Sequence, residues 1–357
     1  MTEPRELLER LVAFPSVAGG PNGEIAAFVQ GWLGERGVAC DAVAGDGGRV
    51  NLLARRGPAD VPGVMLAAHM DVVPADADGW SGDPWRLERQ GDRLAGRGSV
   101  DMKGFLACAM TAIAGAGELS RPLHLAVSTD EEIGCVGVRD LLPAVRDLPA
   151  LPFACIVGEP TGMRLVTAHK GKLAFRATLR GHARHSSEAP LADNAVEHAA
   201  ELVLALRDRG RELATSGRQD ARFAIPHSTI SVGPMHGGVA LNIVPDHCTV
   251  EFELRNLPGD DARSLLPGTG PAELEQLAAY PALDGDPAPL HGLIDAEPGD
   301  AIDFGTEAGL YAQLGIPTAV CGPGNIADAH RADESIEIEQ LERCEAVLVR
   351  LVERLRG

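Results

Sequence analysis

The 357-residue chain is short of positive charge. It carries 32 Lys and Arg against 51 Asp and Glu, a formal net charge of −19, and its only lysines are Lys103, Lys170 and Lys172. Such a surface repels polyanions, which argues against nucleic acid or an anionic membrane as a main partner. The preference for Arg over Lys reads as compositional bias and carries no functional message. Paired cysteines are also missing. The seven cysteines, at 40, 108, 135, 155, 248, 321 and 344, are scattered, odd in number and without a C-x-x-C pair. A disulfide framework or thiolate zinc site is therefore not expected, and a reducing, cytoplasmic setting is. No run of about 18 apolar residues occurs, so no membrane span is expected. MTEPRELLER has no apolar stretch of the kind a secretory signal needs. Internal repeats and low-complexity tracts are absent too. What the chain does have is 45% hydrophobic and 23% charged residues. That balance suits a globular protein with a sizeable core, and its length suits about two or three domains.

Hydrophobic periodicity supplies the organisation. Leu7, Leu8 and Leu11 predict a first helix, PSVAGGPNG a turn, and a second helix follows from Glu24. The apolar runs VMLAAHMDVV (64–73), LHLAVST (123–129) and ACIVGE (154–159) predict buried strands that end in polar residues. Between the first two, FLACAMTAIAGAGEL is small or apolar on every side and predicts a buried crossover helix. Strands alternating with helices mean an α/β body with a mostly parallel central sheet flanked by helices. After about residue 170 the pattern changes. LAFRATLR and TVEFELR alternate strictly, as in a sheet with one wetted face, and AVEHAAELVLALRDRG between them is an amphipathic helix. Pro, Gly and Asp crowd the segment PALDGDPAPLHG (281–292), a hinge signal, before IPTAVCG and a final helix resume the first style. The chain thus reads as a catalytic body of residues 1–170 and 289–357, interrupted at 171–288 by a smaller α+β domain. In open parallel sheets, sites gather at the carboxyl ends of strands.

The polar residues of interest fall at those ends. His69 and Asp71 in AAHMDVVP lie two apart on a strand and share a face, so Asp71 is placed to hold the second nitrogen of a ligating His69; a buried imidazole satisfied by its neighbour gives the same pattern. Asp101 in GRGSVDMKG either caps the following helix or bridges two cations. Asp130, Glu131 and Glu132 form three consecutive acids directly after an apolar strand, where they repel one another unless a cation is present. Glu159 ends another strand, and His330 follows a glycine-rich loop. Two histidines and several carboxylates at the ends of one sheet fit a two-metal site, with His69 on one ion, His330 on the other and Asp101 bridging. Mixed imidazole and carboxylate donors suit Zn²⁺, with Co²⁺ or Mn²⁺ as alternatives. Such a metal pair activates a water and polarises a carbonyl. Physics alone does not say which of Glu131 and Glu132 binds metal, because adjacent side chains point apart.

The ordered strings AAHMDVVP, GRGSVDMKG, STDEEIG, VGEPT and AHRADE resemble the acetylornithine deacetylase and succinyl-diaminopimelate desuccinylase family of di-zinc aminohydrolases. The resemblance runs from about residue 5 to the last helix. It implies an α/β fold with an inserted, ferredoxin-like lid and dimerisation domain. It implies metal ligands at His69, Asp101, Glu132, Glu159 and His330, Glu131 as general base and Asp71 in support. GHARHSSEAP is similar to the family's Gly-x-x-x-His-Ser motif. His185 is thereby implied to donate to the tetrahedral oxyanion, often from a partner subunit, which makes a homodimer the expected state. Arg255 in RNLPG matches an arginine that holds a substrate carboxylate, and Asn242 in LNIVPD is a further carried-over substrate contact. Gly322 and Gly324 in CGPGN are expected to offer backbone N–H groups. FGTEAGLYAQLGIPTAVCGPG is more similar to the acetylornithine deacetylase branch, chiefly at Thr306-Glu307-Ala308-Gly309. The implied reaction is removal of acetate from N2-acetyl-L-ornithine in arginine biosynthesis. Other acylated amino acids, such as acetylcitrulline and succinyl-diaminopimelate, and peptide substrates stay open. A cationic substrate side chain calls for an acid, and Glu307 is the candidate.

Overall fold

Nine of the first helix's residues, Pro4–Val12 (α1), wind so that Leu7, Leu8, Leu11 and Val12 all face inward. Helix α2 (Gly23–Gly34) buries Ile25, Val29, Trp32 and Leu33 in the same way. Strands β1 (Ala39–Ala44), β2 (Val50–Arg56) and β3 (Val64–His69) follow. Helix α3 (Lys103–Ala114) is buried along nearly its whole length, which its Gly, Ala and Cys content permits. It crosses to β4 (Leu123–Ser128); helix α4 (Val138–Arg146) then crosses to β5 (Ala154–Pro160). This computed structural model describes residues 3–75, 79–290 and 292–357.

The next stretch builds a second sheet from β6 (Gly171–Arg180), helix α5 (Ala195–Ser216), β7 (Thr229–Gly237), β8 (His247–Asn256) and β9 (Glu273–Tyr280). Asn194 caps α5, its side chain accepting from the Val196 N–H, and Ala199, Leu202 and Leu206 lie on the helix's buried stripe. The chain returns through α6 (Ala308–Gln313), β10 (Thr318–Gly322) and α7 (Ile338–Arg356).

Two compact units result: Met1–Thr167 with Gly285–Gly299 and Thr306–Gly357, and Ala168–Asp284 with Asp300–Gly305. The strip Asp300–Gly305 differs from the expected boundaries. It belongs with the smaller unit because Ile302 bridges His169 and Asp303 pairs with Lys170 at 2.8 Å.

The larger unit's sheet runs β1-β2-β4-β3-β5-β10. The last four strands are mutually parallel, while β1 and β2 form an antiparallel edge. The carboxyl ends of β3, β4, β5 and β10 therefore share one edge of the sheet. Helix α3 packs against α1, α7 and the sheet. At Gly322 a side chain is excluded outright, since a Cβ would lie 1.9 Å from the Gly158 carbonyl oxygen.

The smaller unit's antiparallel sheet runs β7-β8-β6-β9, the order of a ferredoxin-like fold. Its second helix is reduced to a single 3₁₀ turn, Ala262–Leu265, because Pro267, Gly268, Gly270 and Pro271 follow at once. Phe175 and Phe252 stack 5.6 Å apart on the face covered by α5. On the other face Arg176 pairs with Glu251 and Glu275, and Arg180 with Glu273. All seven cysteines are free thiols. Among the described residues no helix is long and apolar enough to cross a membrane.

Candidate active site

The parallel strand ends deliver their polar residues to one place. His69 is the last residue of β3 and Glu159 lies at the end of β5; they are 1% and 4% exposed. Asp101 precedes α3, and the Asp101–Met102 peptide is cis. The decisive geometry belongs to the Asp101 carboxylate. Its Oδ1 lies 3.0 Å from His69 Nε2 and its Oδ2 lies 3.0 Å from His330 Nε2. His330 Nε2 also meets Glu132 at 3.0 Å, and His69 Nε2 stands 3.6 Å from Glu159. All five residues of the expected ligand set thus converge within the larger unit, with Asp101 between the two imidazoles.

Among the described residues, two groupings bring ligand atoms within 4.8 Å of one another: His69, Glu131 and Glu159, and His69, Asp101 and Glu132. His69 Nδ1 points away from the site toward the main-chain oxygen of Asp71 at 3.0 Å. The Asp71 carboxylate lies farther from that nitrogen, at 3.5 Å, and accepts from the Glu132 N–H at 3.2 Å. Asp71 therefore orients the imidazole chiefly through its carbonyl and steadies the acid loop through its side chain.

Of the three consecutive acids, Asp130 faces away. It takes the left-handed backbone region at φ 56°, forms an ion pair with Arg49 and accepts from the Gly19 N–H at 2.7 Å. Asn51 holds the same loop through the Thr129 N–H at 3.0 Å. Glu131 and Glu132 are left to the site. Glu131 Oε1 takes a hydrogen bond from the Cys135 thiol at 3.2 Å, while Glu132 faces His330.

The acids crowd a largely buried space. Burial, added to by Glu132, Asp101 and Asp71 and opposed by His69, pushes the Glu131 carboxyl up to about 8. Burial and Asp101 push Glu132 up to about 7, and burial raises Glu159 well above its usual range. Burial works against a charged His69, but hydrogen bonds to Asp101 and Asp71 raise its pKa well above the ordinary value. For His330, hydrogen bonds to Asp101 and Glu132 raise the pKa to about 10. Carboxylates packed this closely call for positive charge between them. Two imidazoles and four carboxylates are also the donor set that borderline divalent metals take.

Comparison with known proteins bears on this constellation. The family model described as Peptidase family M20/M25/M40 matches residues 65–252. An acetylornithine deacetylase of Edwardsiella ictaluri is 31% identical over 378 aligned positions, covering 97% of this chain and 96% of that protein. One from Vibrio vulnificus is 32% identical, covering 89% of this chain and 88% of its own length. The chain belongs to peptidase family M20/M25/M40. Among solved structures, an M20 family metallo-carboxypeptidase from Sulfolobus solfataricus superposes with a TM-score of 0.82 at 20% identity, covering 99% of each chain. A dinuclear metal-binding M20 peptidase from Bacillus subtilis has a TM-score of 0.66 at 15% identity, covering 99% and 97%. The mixed α/β architecture is thus that of M20 structures, and the protein is a hydrolase, a metal-dependent aminohydrolase.

The remaining expected residues of this M20 chain fall differently. Glu307, expected to meet a cationic substrate group, is 1% exposed and accepts from the Ser128 hydroxyl at 2.5 Å. That carboxyl lies behind the strand ends and is closed to solvent in this structure. Burial, then the charge of Glu131, pushes its pKa up to about 8. The N–H groups of Gly322 and Gly324, expected to face substrate, go instead to Thr161 Oγ1 at 3.3 Å and Gln340 Oε1 at 3.4 Å. In the smaller unit, Arg255 donates to Glu253 at 2.9 Å and to the Tyr280 hydroxyl at 2.6 Å. There His185 is exposed, its Nδ1 2.8 Å from Ser187 Oγ. Asn242 is also exposed and its carbonyl accepts from the Ser186 N–H, so the loops carrying His185 and Asn242 lie side by side. Arg49, Asn51, Ser128 and Cys135 were not read as site residues from sequence. Ser128 opens the STDEEIG string without being singled out there, and Arg49, Asn51 and Cys135 lie outside the quoted strings; their position beside the acid loop reveals them.

Proposed function

We propose that this M20-family chain deacylates N-acylated α-amino acids, with N2-acetyl-L-ornithine the preferred substrate and ornithine and acetate the products, as a step of arginine biosynthesis. The observation that carries the hydrolytic reading is the Asp101 carboxylate facing His69 with one oxygen and His330 with the other. The choice of substrate draws on the full-length relatives named acetylornithine deacetylase. His69, Asp101, Glu132, Glu159 and His330 would hold two divalent cations, Zn²⁺ in the native protein with Co²⁺ able to replace it. Bound there, the cations supply Lewis acidity toward a carbonyl and lower the pKa of a water molecule.

Glu131 is the general base. Its carboxyl lies among the ligands, is fixed by the Cys135 thiol and makes no ion pair with either histidine at hydrogen-bond range. It takes a proton from the attacking water and returns one to the departing amine. Arg255, a planar fork at the end of β8, holds the substrate α-carboxylate, and Asn242 and His185 contribute from adjoining loops, His185 toward the developing oxyanion. The protein is a homodimer joined through the smaller, lid-like unit. The apolar Leu191, Val239 and Leu241 there are 72%, 87% and 100% exposed, a surface that water covers poorly.

A substrate panel tests this reading. Chelator-treated protein is reloaded with Zn²⁺ or Co²⁺ and offered acetylornithine, acetylcitrulline, succinyl-diaminopimelate and a dipeptide. Acetylornithine is expected to give the highest kcat/KM. A clear preference for the dipeptide rejects the deacylase reading and leaves a metallopeptidase.

A further inference from the structure

Glu334 belongs to the AHRADE string, yet it is neither an expected ligand nor a substrate contact. It is 1% exposed. A buried carboxylate is costly unless its lone pairs are filled, and here four donors fill them. Oε2 accepts from Arg97 Nη1 at 2.7 Å and from the Gly98 N–H at 3.0 Å. Oε1 accepts from the Val100 N–H at 2.9 Å and the Asp101 N–H at 3.2 Å. The Glu334 main-chain oxygen takes the Gly96 N–H at 2.9 Å.

Each partner has a consequence for the site. Asp101 carries the carboxylate between the histidines, and its own N–H is held by Glu334. His330 lies four residues before Glu334 on the same loop. One side chain therefore ties the loop of Asp101 to the loop of His330. Arg97, 4% exposed, widens the tie by donating to the Arg331 carbonyl at 3.3 Å and the Pro74 carbonyl at 3.1 Å, the latter beyond the strand that ends in His69. Gly98 admits this closeness: its φ is +81°, and a Cβ would lie 2.7 Å from Val72 Cγ1.

We infer that Glu334, paired with Arg97, is a positioning residue that sets the separation of the Asp101 and His330 loops and thereby the affinity of the site for divalent metal. This rests on reading the site as a metal centre. Glutamine in its place is nearly isosteric but turns an N–H₂ toward donors and loses the charge that faces Arg97. Outer groups that orient ligands typically contribute about 10- to 100-fold to metal affinity.

The test uses full-length protein stripped with a chelator and titrated with Co²⁺ alone, followed by calorimetry and visible absorption. The melting temperature of the apo form is measured in parallel. Glu334→Gln is expected to bind Co²⁺ about 10- to 100-fold more weakly, with an altered absorption band. Co²⁺ affinity and spectrum equal to wild type, with only the apo melting temperature lowered, overturn the inference and leave Glu334 a purely structural clamp. If Glu334→Gln does not fold, Glu334→Asp is read in the same titration. It keeps the charge but shortens the reach to Val100 and Asp101, and wild-type Co²⁺ binding in it is equally fatal. A wild-type protein that takes up no Co²⁺ sinks the metal-centre reading and this inference with it.

Discussion

The Ser128 hydroxyl donates to Glu307 at 2.5 Å beneath the floor of the site, one residue of β4 against the N-terminus of α6. This pairing makes Glu307 a prop for the strand end that leads into the acid loop. Glu307→Ala is expected to lower unfolding free energy by about 1–3 kcal/mol, the usual range for a buried hydroxyl left without its partner. Denaturant unfolding measures it. The ratio of KM for acetylornithine to KM for acetylcitrulline is expected to stay at the wild-type value. A rise confined to the cationic substrate makes Glu307 a contact for that substrate's charge after all.

Glu131→Gln keeps the shape of the side chain and removes its basicity. Metal content per chain is expected to equal wild type, while kcat falls by about 10²- to 10⁴-fold, the contribution a positioned base makes. Elemental analysis alongside turnover checks both halves. Near-normal turnover excludes Glu131 as the base.

Acid should unfold this protein partly through histidines outside the site. His124, on β4 opposite Arg55, is buried with neither ring nitrogen bonded, and burial followed by the Arg55 charge lowers its pKa from 6.5 to about 4. His169 is lowered to about 4 as well, chiefly by burial. Between those values the unfolded chain takes up a proton that the folded chain refuses. Stability from each is whole above 6.5 and is lost as pH falls toward about 4, by at most roughly 3 kcal/mol. His124→Leu is expected to flatten the stability–pH curve over that window. Parallel curves for variant and wild type contradict the assignment.

Gly322→Ala forces a Cβ to within 1.9 Å of the Gly158 oxygen, where β5 and β10 run side by side next to Glu159. The expected outcome is a loss of several kcal/mol or failure to fold, since backbone cannot yield cheaply there. Circular dichroism melting reports it.

Of the candidate metal ligands, His69, Glu132 and Glu159 were legible because each sits at or just beyond the end of an apolar strand, and a parallel sheet sends such ends to one edge; Asp101 and His330 lie in loops and were reached chiefly through the family resemblance. The smaller unit's strands β6 and β8 were legible from alternation and its helix α5 from amphipathic spacing, whereas β7 was not read. The unit's later part was not legible either. DARSLLPGTGPAELEQLAAY has no clean period, because strand Glu273–Tyr280 lies at the sheet's edge with half its residues in water. The depth of Glu307 was not legible, because a TEAG string says nothing about burial. The partners of the Gly322 and Gly324 N–H groups were not legible either, because they depend on residues far away in sequence or on another element, Thr161 and Gln340. Glu334 went unread for the opposite reason: its four donors come from more than 230 positions upstream.

The ionic ladder of Arg176, Arg180, Glu251, Glu273 and Glu275 settles a question of architecture. A sheet flank lined by opposite charges is content in water and asks for no cover. That flank needs no covering helix, while α5 shelters the apolar side together with the turn Ala262–Leu265, whose Ala262 and Leu265 pack on the same core. Ala262, Leu265 and Leu266 thus keep that part of the core covered although Pro267 and Gly268 stop the turn from growing into a helix.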